Sequence, residues 1–349
     1  MSAQRASTAR HPSAVIFGCS GPALAADEVA FFRDCDALGL ILFQRNVEDP
    51  AQVRSLVQSF RDCVGRADAP VLIDQEGGRV ARLRPPHWRL PPPAARCAAL
   101  AWKDPEAAAE ASHLNARLIA ADLTDLGITV DCAPVLDLPQ PGADPIISDR
   151  AAGTTAREAE TFGRAACEGF LAGGILPVIK HIPGHGRALV DSHKALPRIV
   201  TSLDELDEID FRPFRSLNDM PWAMTGHVIY EAVDPELPTT LSSAVVGTII
   251  RGTIGFDGFL LSDDICMRAL VGPMAGRAIA TLDAGCDAVL HCSGDMTEMT
   301  AVATGVRPLT DRSAERLARG EAMRQAPEPF DANAAQKRLD VILESASWT

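Results

Sequence analysis

Short apolar runs alternate with longer stretches of helical periodicity over most of this chain. The runs have the length and composition of buried strands, whereas the stretches between them repeat apolar residues at intervals of three and four. One such stretch carries Ala111, Leu114, Leu118 and Ala121, which would share one face of a helix. Eight strand-like runs are present, at residues 14–18, 39–43, 71–75, 129–138, 177–182, 222–228, 258–264 and 287–292.

Eight strands, each followed by a helix or a loop and helix, predict a (β/α)8 barrel of the TIM type. A doubly wound open sheet is the alternative, but no GxGxxG sequence follows any of the runs. From residue 295 onward the chain reads as helical, with a Pro-rich break at residues 327–329. We therefore expect a flexible tail over residues 1–12 and one barrel domain over residues 13–349, including a C-terminal helical extension.

Polar side chains end five of the eight runs. Because the carboxyl ends of barrel strands form the face that holds the active site, these side chains should meet there. Two long loops, at residues 82–93 and 139–153, are expected to overhang the same face. The polar residues are Asp74, Gln75, Glu76, Lys180, His181, His227, Ser262, Asp263, Asp264 and His291.

Asp191 and His193 lie two residues apart in a loop that Pro183 and Gly184 begin. In a loop, this spacing lets the carboxylate accept a hydrogen bond from one ring nitrogen, which raises the basicity of the other. We interpret the pair as an acid/base dyad. The alternative for each loop histidine is a side chain that only hydrogen-bonds to backbone.

Asp263 is the second candidate for chemistry, because it ends a strand that is otherwise apolar. Its neighbour Asp264 can cap the element that follows, which leaves Asp263 available. A carboxylate opposite an imidazole dyad suits double displacement at an acetal carbon. A metal-dependent hydrolase stays open at this point, since a barrel that holds zinc needs only three or four ligands. Its candidate ligands are His181, His185, Asp191, His193 and His227.

Composition narrows the possible partners and location. The net charge of −13 and the isoelectric point near 5.1 argue against nucleic acid as a partner. Nine scattered cysteines without a CxxC pair favour a reducing compartment. No apolar run approaches the roughly 18 residues of a membrane span. We therefore expect a cytoplasmic, soluble protein that does not bind membranes.

Three motifs identify a resemblance. They are Lys-His-Ile-Pro-Gly-His-Gly at residues 180–186, Asp-Ser-His at 191–193 and Ser-Asp-Asp at 262–264. Together they resemble the bacterial β-N-acetylglucosaminidases of glycoside hydrolase family 3, of the single-domain cytoplasmic type that acts in peptidoglycan recycling. Residues 39–46, 74–82, 148–150 and 283–287 extend the similarity, so that it covers about residues 14 to 300.

The resemblance implies residue roles. Asp263 would be the nucleophile that forms a covalent glycosyl-enzyme, and His193 would be the acid/base with Asp191 as its partner. The first sugar subsite would be formed by Asp74, Arg82, Arg150, Lys180 and His181. The implied substrate is a muropeptide that contains N-acetylglucosamine (GlcNAc). We expect a monomer that needs no cofactor or metal.

The sequence departs from the family pattern in three places, where Arg187-Ala188, Ile265-Cys266 and Thr253 replace the usual residues. None of these changes removes a proposed catalytic group. The alternatives that remain are a β-glucosidase or other exo-glycosidase of the same family, a metal-dependent barrel hydrolase, and a non-catalytic sugar-binding barrel.

Overall fold

A computed structural model describes residues 11–345. Most of the tail expected over residues 1–12 lies outside this range. Within it, ten strands occur: β1 (Ser13–Phe17), β2 (Ala37–Leu42), β3 (Val71–Ile73), β4 (Val130–Asp131), β5 (Leu176–Ile182), β6 (Arg198–Ile199), β7 (Trp222–Thr225), β8 (Ile229–Tyr230), β9 (Phe259–Asp264) and β10 (Ala288–His291). Strands β6 and β8 pair with each other, and the other eight close into a parallel barrel in chain order.

The described residues form eleven α-helices: α1 (Ala26–Cys35), α2 (Pro50–Val64), α3 (Ala94–Ala98), α4 (Pro105–Asp125), α5 (Ala156–Ala172), α6 (Leu203–Glu208), α7 (Arg212–Ser216), α8 (Met274–Ala284), α9 (Met296–Ala303), α10 (Asp311–Met323) and α11 (Ala332–Glu344). A π-helix spans Val245–Thr253, and short 3-10 turns occur at Gln44–Asn46, Ser148–Arg150 and Thr239–Leu241. The predicted barrel of eight strands is confirmed. None of these helices is both long enough and apolar enough to cross a bilayer.

Local signals set the ends of the helices that surround the barrel. Helix α2 begins after Asp49, whose carboxylate accepts hydrogen bonds from the amides of Ala51 (2.8 Å) and Gln52 (3.0 Å), and it has Pro50 in its first turn. It ends at Gly65, which has a positive φ of 64° that other residues rarely adopt. Such ends turn the chain back so that the next strand runs parallel to the last.

The fourth predicted strand is shorter than its apolar run suggests. Strand β4 covers only two residues of the run at 129–138, because Pro134 has no N–H to contribute to a ladder. The rest of the run stays attached to β5, since the amide of Leu136 donates to the carbonyl of Lys180 (2.8 Å). As a result Asp137 lies beside the end of β5, where polar residues gather.

The C-terminal helical extension is also confirmed. Helix α11 packs its apolar residues Leu339, Ile342 and Leu343 in one cluster with Leu118 of α4. Arg117 of α4 holds the Pro-rich break before α11. It donates to the carbonyl of Glu328 (2.6 Å), and its guanidinium lies over the ring of Phe330. The extension therefore covers the outside of the barrel at α4 and faces the loop after β3.

Asp287 joins several elements at the start of β10. One carboxylate oxygen accepts from the Leu260 amide (2.8 Å) and from Arg251 (2.8 Å), and the other accepts from Ser313 (2.7 Å) and Arg316 (3.1 Å). The side chain is 2% exposed. This buried carboxylate ties β9, β10, the π-helix and α10 together, at the barrel end opposite the carboxyl ends of the strands.

We expect Asp287→Ala to lower the free energy of unfolding by about 3 kcal/mol or more, because it leaves buried cationic groups without their partner. Asp283→Ala is the matched control: this residue pairs with Arg307 on the surface, where both side chains are about half exposed. Its loss should cost less than about 1 kcal/mol. Urea denaturation of both variants measures the difference, and equal costs would contradict a structural role for Asp287.

Candidate active site

A pocket of about 250 Å³ opens at the carboxyl ends of the barrel strands. Seven of the eight residues that the sequence singled out line it, and the eighth, Asp191, contacts one of the seven. The lining residues among them are Asp74, Arg82, Arg150, Lys180, His181, His193 and Asp263. The strand ends and loops therefore converge as predicted, although four of the polar strand-end residues do not line the pocket, namely Gln75, His227, Ser262 and His291.

Lys180 is the centre of a buried charge network at the base of the pocket. Its ammonium lies 2.9 Å from Asp74 and 2.6 Å from Glu76, and the side chain is 2% exposed. Arg150 makes two parallel hydrogen bonds of 2.8 Å to Glu76, and Arg82 donates to Asp74 (3.1 Å). Paired contacts of this type hold both partners in a fixed orientation.

The network keeps its carboxylates ionised. Burial alone would raise the pKa of Glu76, but Arg150 and Lys180 outweigh it and lower that pKa to about 2. The pKa of Asp74 is lowered in the same way, since the charges of Lys180 and Arg82 overcome burial. The same carboxylates raise the pKa of Lys180 above its usual value, against the effect of burial. The base of the pocket is therefore charged at neutral pH.

His181 is oriented by Asp137, a residue that the sequence analysis did not single out. The ring Nδ1 lies 2.6 Å from one carboxylate oxygen of Asp137, and the other oxygen accepts from the amides of His181 (3.1 Å) and His185 (2.7 Å). Asp137 is fully buried. This contact fixes the ring so that Nε2 of His181 is free to serve a ligand in the pocket.

Asp263 lies across the pocket at the end of β9. Its carboxylate accepts the amide of Asp264 (2.8 Å). Burial would raise the pKa of Asp263, but the nearby imidazoles of His227 and His181, the Asp264 amide and His193 together lower it. Asp264 does not cap the next helix as predicted, because α8 starts only after Pro273. Instead its carboxylate accepts the amides of two turn residues, Cys266 (3.0 Å) and Cys292 (3.1 Å).

A chain of hydroxyl groups supports the backbone beneath Asp263. His227 Nε2 lies 2.9 Å from the carbonyl of Asp264 and must donate to it, so Nδ1 accepts from the hydroxyl of Thr240 (2.7 Å). That hydroxyl in turn accepts from Thr225 (2.8 Å), whose oxygen receives the amide of Asp263 (3.4 Å). Burial lowers the pKa of His227, which favours the neutral ring that this chain requires.

Asp191 and His193 form the predicted contact. The ring Nδ1 lies 2.9 Å from the Asp191 carboxylate, which also accepts the amide of His193 (2.9 Å). The side chain of His193 is 63% exposed, whereas that of Asp191 is 10% exposed. Between them Ser192 is buried, with its hydroxyl 3.3 Å from His185 Nε2 and its carbonyl accepting from Ala269 (3.2 Å). The loop is thus fixed in its middle while the imidazole reaches into solvent.

The histidines considered as metal ligands do not form a cluster of three metal-ligating groups with Asp191 within residues 11–345. His181 and His227 are each oriented by their own partners, and His185 lies between Asp137 and Ser192. The geometry therefore gives no support to the metal-dependent alternative at these positions.

Three further residues belong to the site although the sequence did not identify them as such: Glu76, Asp137 and Thr240. Glu76 was noted only as a polar strand end, although its position next to Asp74 was a usable signal. Asp137 lay inside a run interpreted as a strand, and Thr240 lies 13 residues beyond the histidine that it orients. Contacts of this kind depend on tertiary structure, which periodicity does not reveal.

Comparison with known proteins decides the family. Residues 17–319 match the glycosyl hydrolase family 3 N-terminal domain. The chain belongs to glycosyl hydrolase family 3. It is therefore a glycoside hydrolase, as the sequence motifs predicted.

Relatives and solved structures agree with this assignment. The chain is 38% identical to a β-hexosaminidase of Alkalilimnicola ehrlichii over 80% of each chain, and 36% identical to a β-hexosaminidase of Methylococcus capsulatus over 95% of this chain and 96% of that one. It superposes on NagZ from Neisseria gonorrhoeae with a TM-score of 0.83 at 29% identity, covering 97% of this chain and 99% of that one. That protein has also been solved with N-trifluoroacetyl-D-glucosamine and with a zinc ion.

We expect Thr240→Val to lower kcat about 10- to 100-fold with little change in KM. The valine removes the donor to His227 and loosens the backbone of Asp263, and small displacements of reacting groups are costly. Thr239→Val is the matched control, because Thr239 is equally buried but donates to the carbonyl of Val228, which keeps a second donor. A similar loss of kcat in both variants would reject the positioning role, and steady-state kinetics on an aryl glycoside distinguishes the two results.

Asp131 gives the protein a pH-dependent stability. It is fully buried at the end of β4, with one oxygen accepting the Gln75 amide (2.9 Å) and the other without a partner. Burial raises its pKa to about 8, against smaller opposing effects of the Gln75 amide and Lys180. Between about pH 4 and pH 8 the unfolded chain is ionised here while the folded chain is protonated. The free energy of unfolding therefore falls as pH rises through this window.

Between pH 6.5 and pH 8 we expect the wild type to lose about 2 kcal/mol of stability that Asp131→Asn retains. This window lies above the lowered pKa of His185, about 4, and the raised pKa of Asp210, about 6. Urea denaturation at both pH values measures the two slopes. Parallel slopes would show that Asp131 ionises normally in the folded protein.

Proposed function

We propose that this protein is a retaining exo-β-N-acetylglucosaminidase. It removes terminal, non-reducing β-linked GlcNAc from peptidoglycan fragments, namely GlcNAc-anhydro-MurNAc and its peptides, through a covalent glycosyl-enzyme. The observation that carries the proposal is the pairing of an ionised carboxylate, Asp263, with an Asp191–His193 dyad held on a separate loop. This is a nucleophile and an acid/base on one pocket.

In the first step the Asp263 carboxylate attacks the anomeric carbon as the glycosidic C–O bond breaks. His193 gives its Nε2 proton to the departing oxygen, and Asp191 stabilises the imidazole at Nδ1. In the second step water attacks the anomeric carbon, His193 accepts its proton, and the bond to Asp263 breaks. Two displacements at one carbon restore the β configuration, so the enzyme retains stereochemistry.

The network at the base of the pocket would bind the terminal sugar. Asp74 is 17% exposed and can accept from sugar hydroxyls, while Arg82, at 24%, can donate to them. Lys180 and Arg150 add donors at the base, and the oriented His181 presents Nε2. Because ion pairs close the pocket there, it suits a chain end better than the middle of a polysaccharide, which supports exo action.

The preference for GlcNAc is supported by the relatives named β-hexosaminidase and by the gonococcal protein bound to an N-acylated glucosamine. The peptidoglycan substrate and the cytoplasmic location rest on the motif resemblance. Nine cysteines, all free thiols, support a reducing compartment. We propose a monomer, because one chain supplies every group used in the two steps.

The first experiment measures nitrophenol release from the aryl β-N-acetylglucosaminide and from the aryl β-glucoside, with and without EDTA. We expect turnover of the first substrate alone, unaffected by EDTA, and its loss by at least about 10³-fold in Asp263→Asn, which lacks the nucleophile. Turnover of the glucoside instead would indicate another exo-glycosidase of the family. Sugar binding that persists without any turnover would indicate a non-catalytic barrel.

The dyad has its own test. Asp191→Asn should lower kcat by about 10² to 10⁴-fold and flatten the pH–rate profile, since the imidazole loses the partner that supports its protonated form. Lys194→Ala is the control, because Lys194 contacts the second oxygen of the same carboxylate (3.5 Å) from an exposed position. It should remain within twofold of the wild type. An unchanged profile in Asp191→Asn would reject the dyad.

A further inference from the structure

Cys266, His291 and Glu298 bring three metal-ligating groups together beside the pocket. One ligand atom from each lies within 4.8 Å of the other two. The Cys266 sulfur is 4.0 Å from Glu298 Oε2, and His291 Nε2 is 3.6 Å from the same oxygen. None of the three residues lines the pocket that contains Asp263 and His193. The catalytic proposal therefore does not use this cluster.

His291 has no short hydrogen bond on either ring nitrogen within the described residues. Its side chain is fully buried and packs edge-on against Phe17. Nδ1 has no partner, and Nε2 has only the Ser293 hydroxyl at 3.5 Å besides Glu298. Burying an imidazole with such weak partners is costly, so the contacts present do not account for a histidine at this position.

We propose that Cys266, His291 and Glu298 bind a thiophilic divalent cation of the zinc type. Thiolate, imidazole and carboxylate are the three ligand classes that zinc accepts. With metal–ligand distances of about 2.0 to 2.3 Å, tetrahedral geometry places S and O about 3.6 Å apart and N and O about 3.4 Å apart. The two separations to Glu298 exceed these by a few tenths of an ångström, and the Cys266 and His291 ligand atoms lie within 4.8 Å of each other, so side-chain rotation has to bring the three groups closer.

The surroundings suit an ion that can enter and leave. The Glu298 side chain is 39% exposed, which gives access from solvent and room for water as the fourth ligand. The turn that carries Cys266 is held by Asp264, which accepts the Cys266 amide (3.0 Å). Zinc binds cysteine as the thiolate, so binding would release the proton of Cys266.

The ion would connect three elements: the turn after β9, the end of β10 and helix α9. Two of these lie next to Asp263 along the chain or across the sheet. The site is thus structural, and its effect is to stabilise the folded chain whenever the cation is bound. Hydrolysis itself does not require it.

The test is a Co²⁺ titration of the full-length chain after chelator treatment, in a reductant that is not a thiol. We expect one Co²⁺ per chain, an intense near-ultraviolet thiolate-to-cobalt band, displacement by Zn²⁺, and a rise in Tm with Zn²⁺. Cys266→Ser should abolish the band, and Glu298→Gln should weaken binding at least about tenfold. Cys63→Ser and Cys35→Ser are matched controls, since these cysteines are also half-buried free thiols.

The absence of a thiolate band, or its persistence in Cys266→Ser, would overturn the proposal. Loss of the band in a control variant would also overturn it. Cobalt that binds without the band and is displaced by GlcNAc would overturn it as well, because the ion would then lie on pocket residues. The Tm of each variant without metal checks that it folds. If Cys266→Ser does not fold, Glu298→Gln still provides a test, because the side chain of Glu298 is partly exposed. Because binding is read from the spectrum, failure of this proposal is distinct from failure of the glycosidase assay.

Discussion

The site depends on the ion pairs that the buried ammonium of Lys180 makes with Asp74 and Glu76. A cation at 2% exposure is stable only with close anionic partners, and Asp74 and Glu76 provide them from the end of β3, one strand beyond β4. Those carboxylates in turn fix the arginines of two long loops, so that one buried charge determines where Arg82 and Arg150 lie. The ends of β3 and β5, which β4 separates in the barrel, are thereby joined into one charged surface at the base of the pocket.

The two halves of the proposed chemistry are held in different ways. Asp263 stands on a strand whose backbone is bound by Thr225 and, through His227, by Thr240. His193 is itself 63% exposed, on a loop that is anchored beside it at Ser192. In the proposed mechanism, a fixed nucleophile and a more accessible acid/base would allow a sugar to enter before the acid/base is aligned over it.

Sequence patterns were sufficient for the barrel and for most of the pocket. Apolar runs located all eight barrel strands, and the polar residues after them identified Asp74, Lys180, His181 and Asp263, because strand ends are close in both sequence and space. The length of β4 and the role of Asp137 were not predictable in this way, since both depend on how Pro134 ends a ladder. Thr240 was missed for a similar reason: its partner is set by the fold rather than by spacing.

The ion pairs of the pocket have a consequence for the kind of ligand it attracts. Its lining contains four acidic side chains, Asp74, Glu76, Asp263 and Asp264, and four basic ones, Arg79, Arg82, Arg150 and Lys180. Their formal charges cancel, although the whole chain carries −13. The pocket lining thus carries no net formal charge, which matches the uncharged terminal sugar of the proposed substrate. Any dependence of binding on ionic strength would then come from charged groups of the substrate that lie outside the pocket, near the acidic surface of the chain.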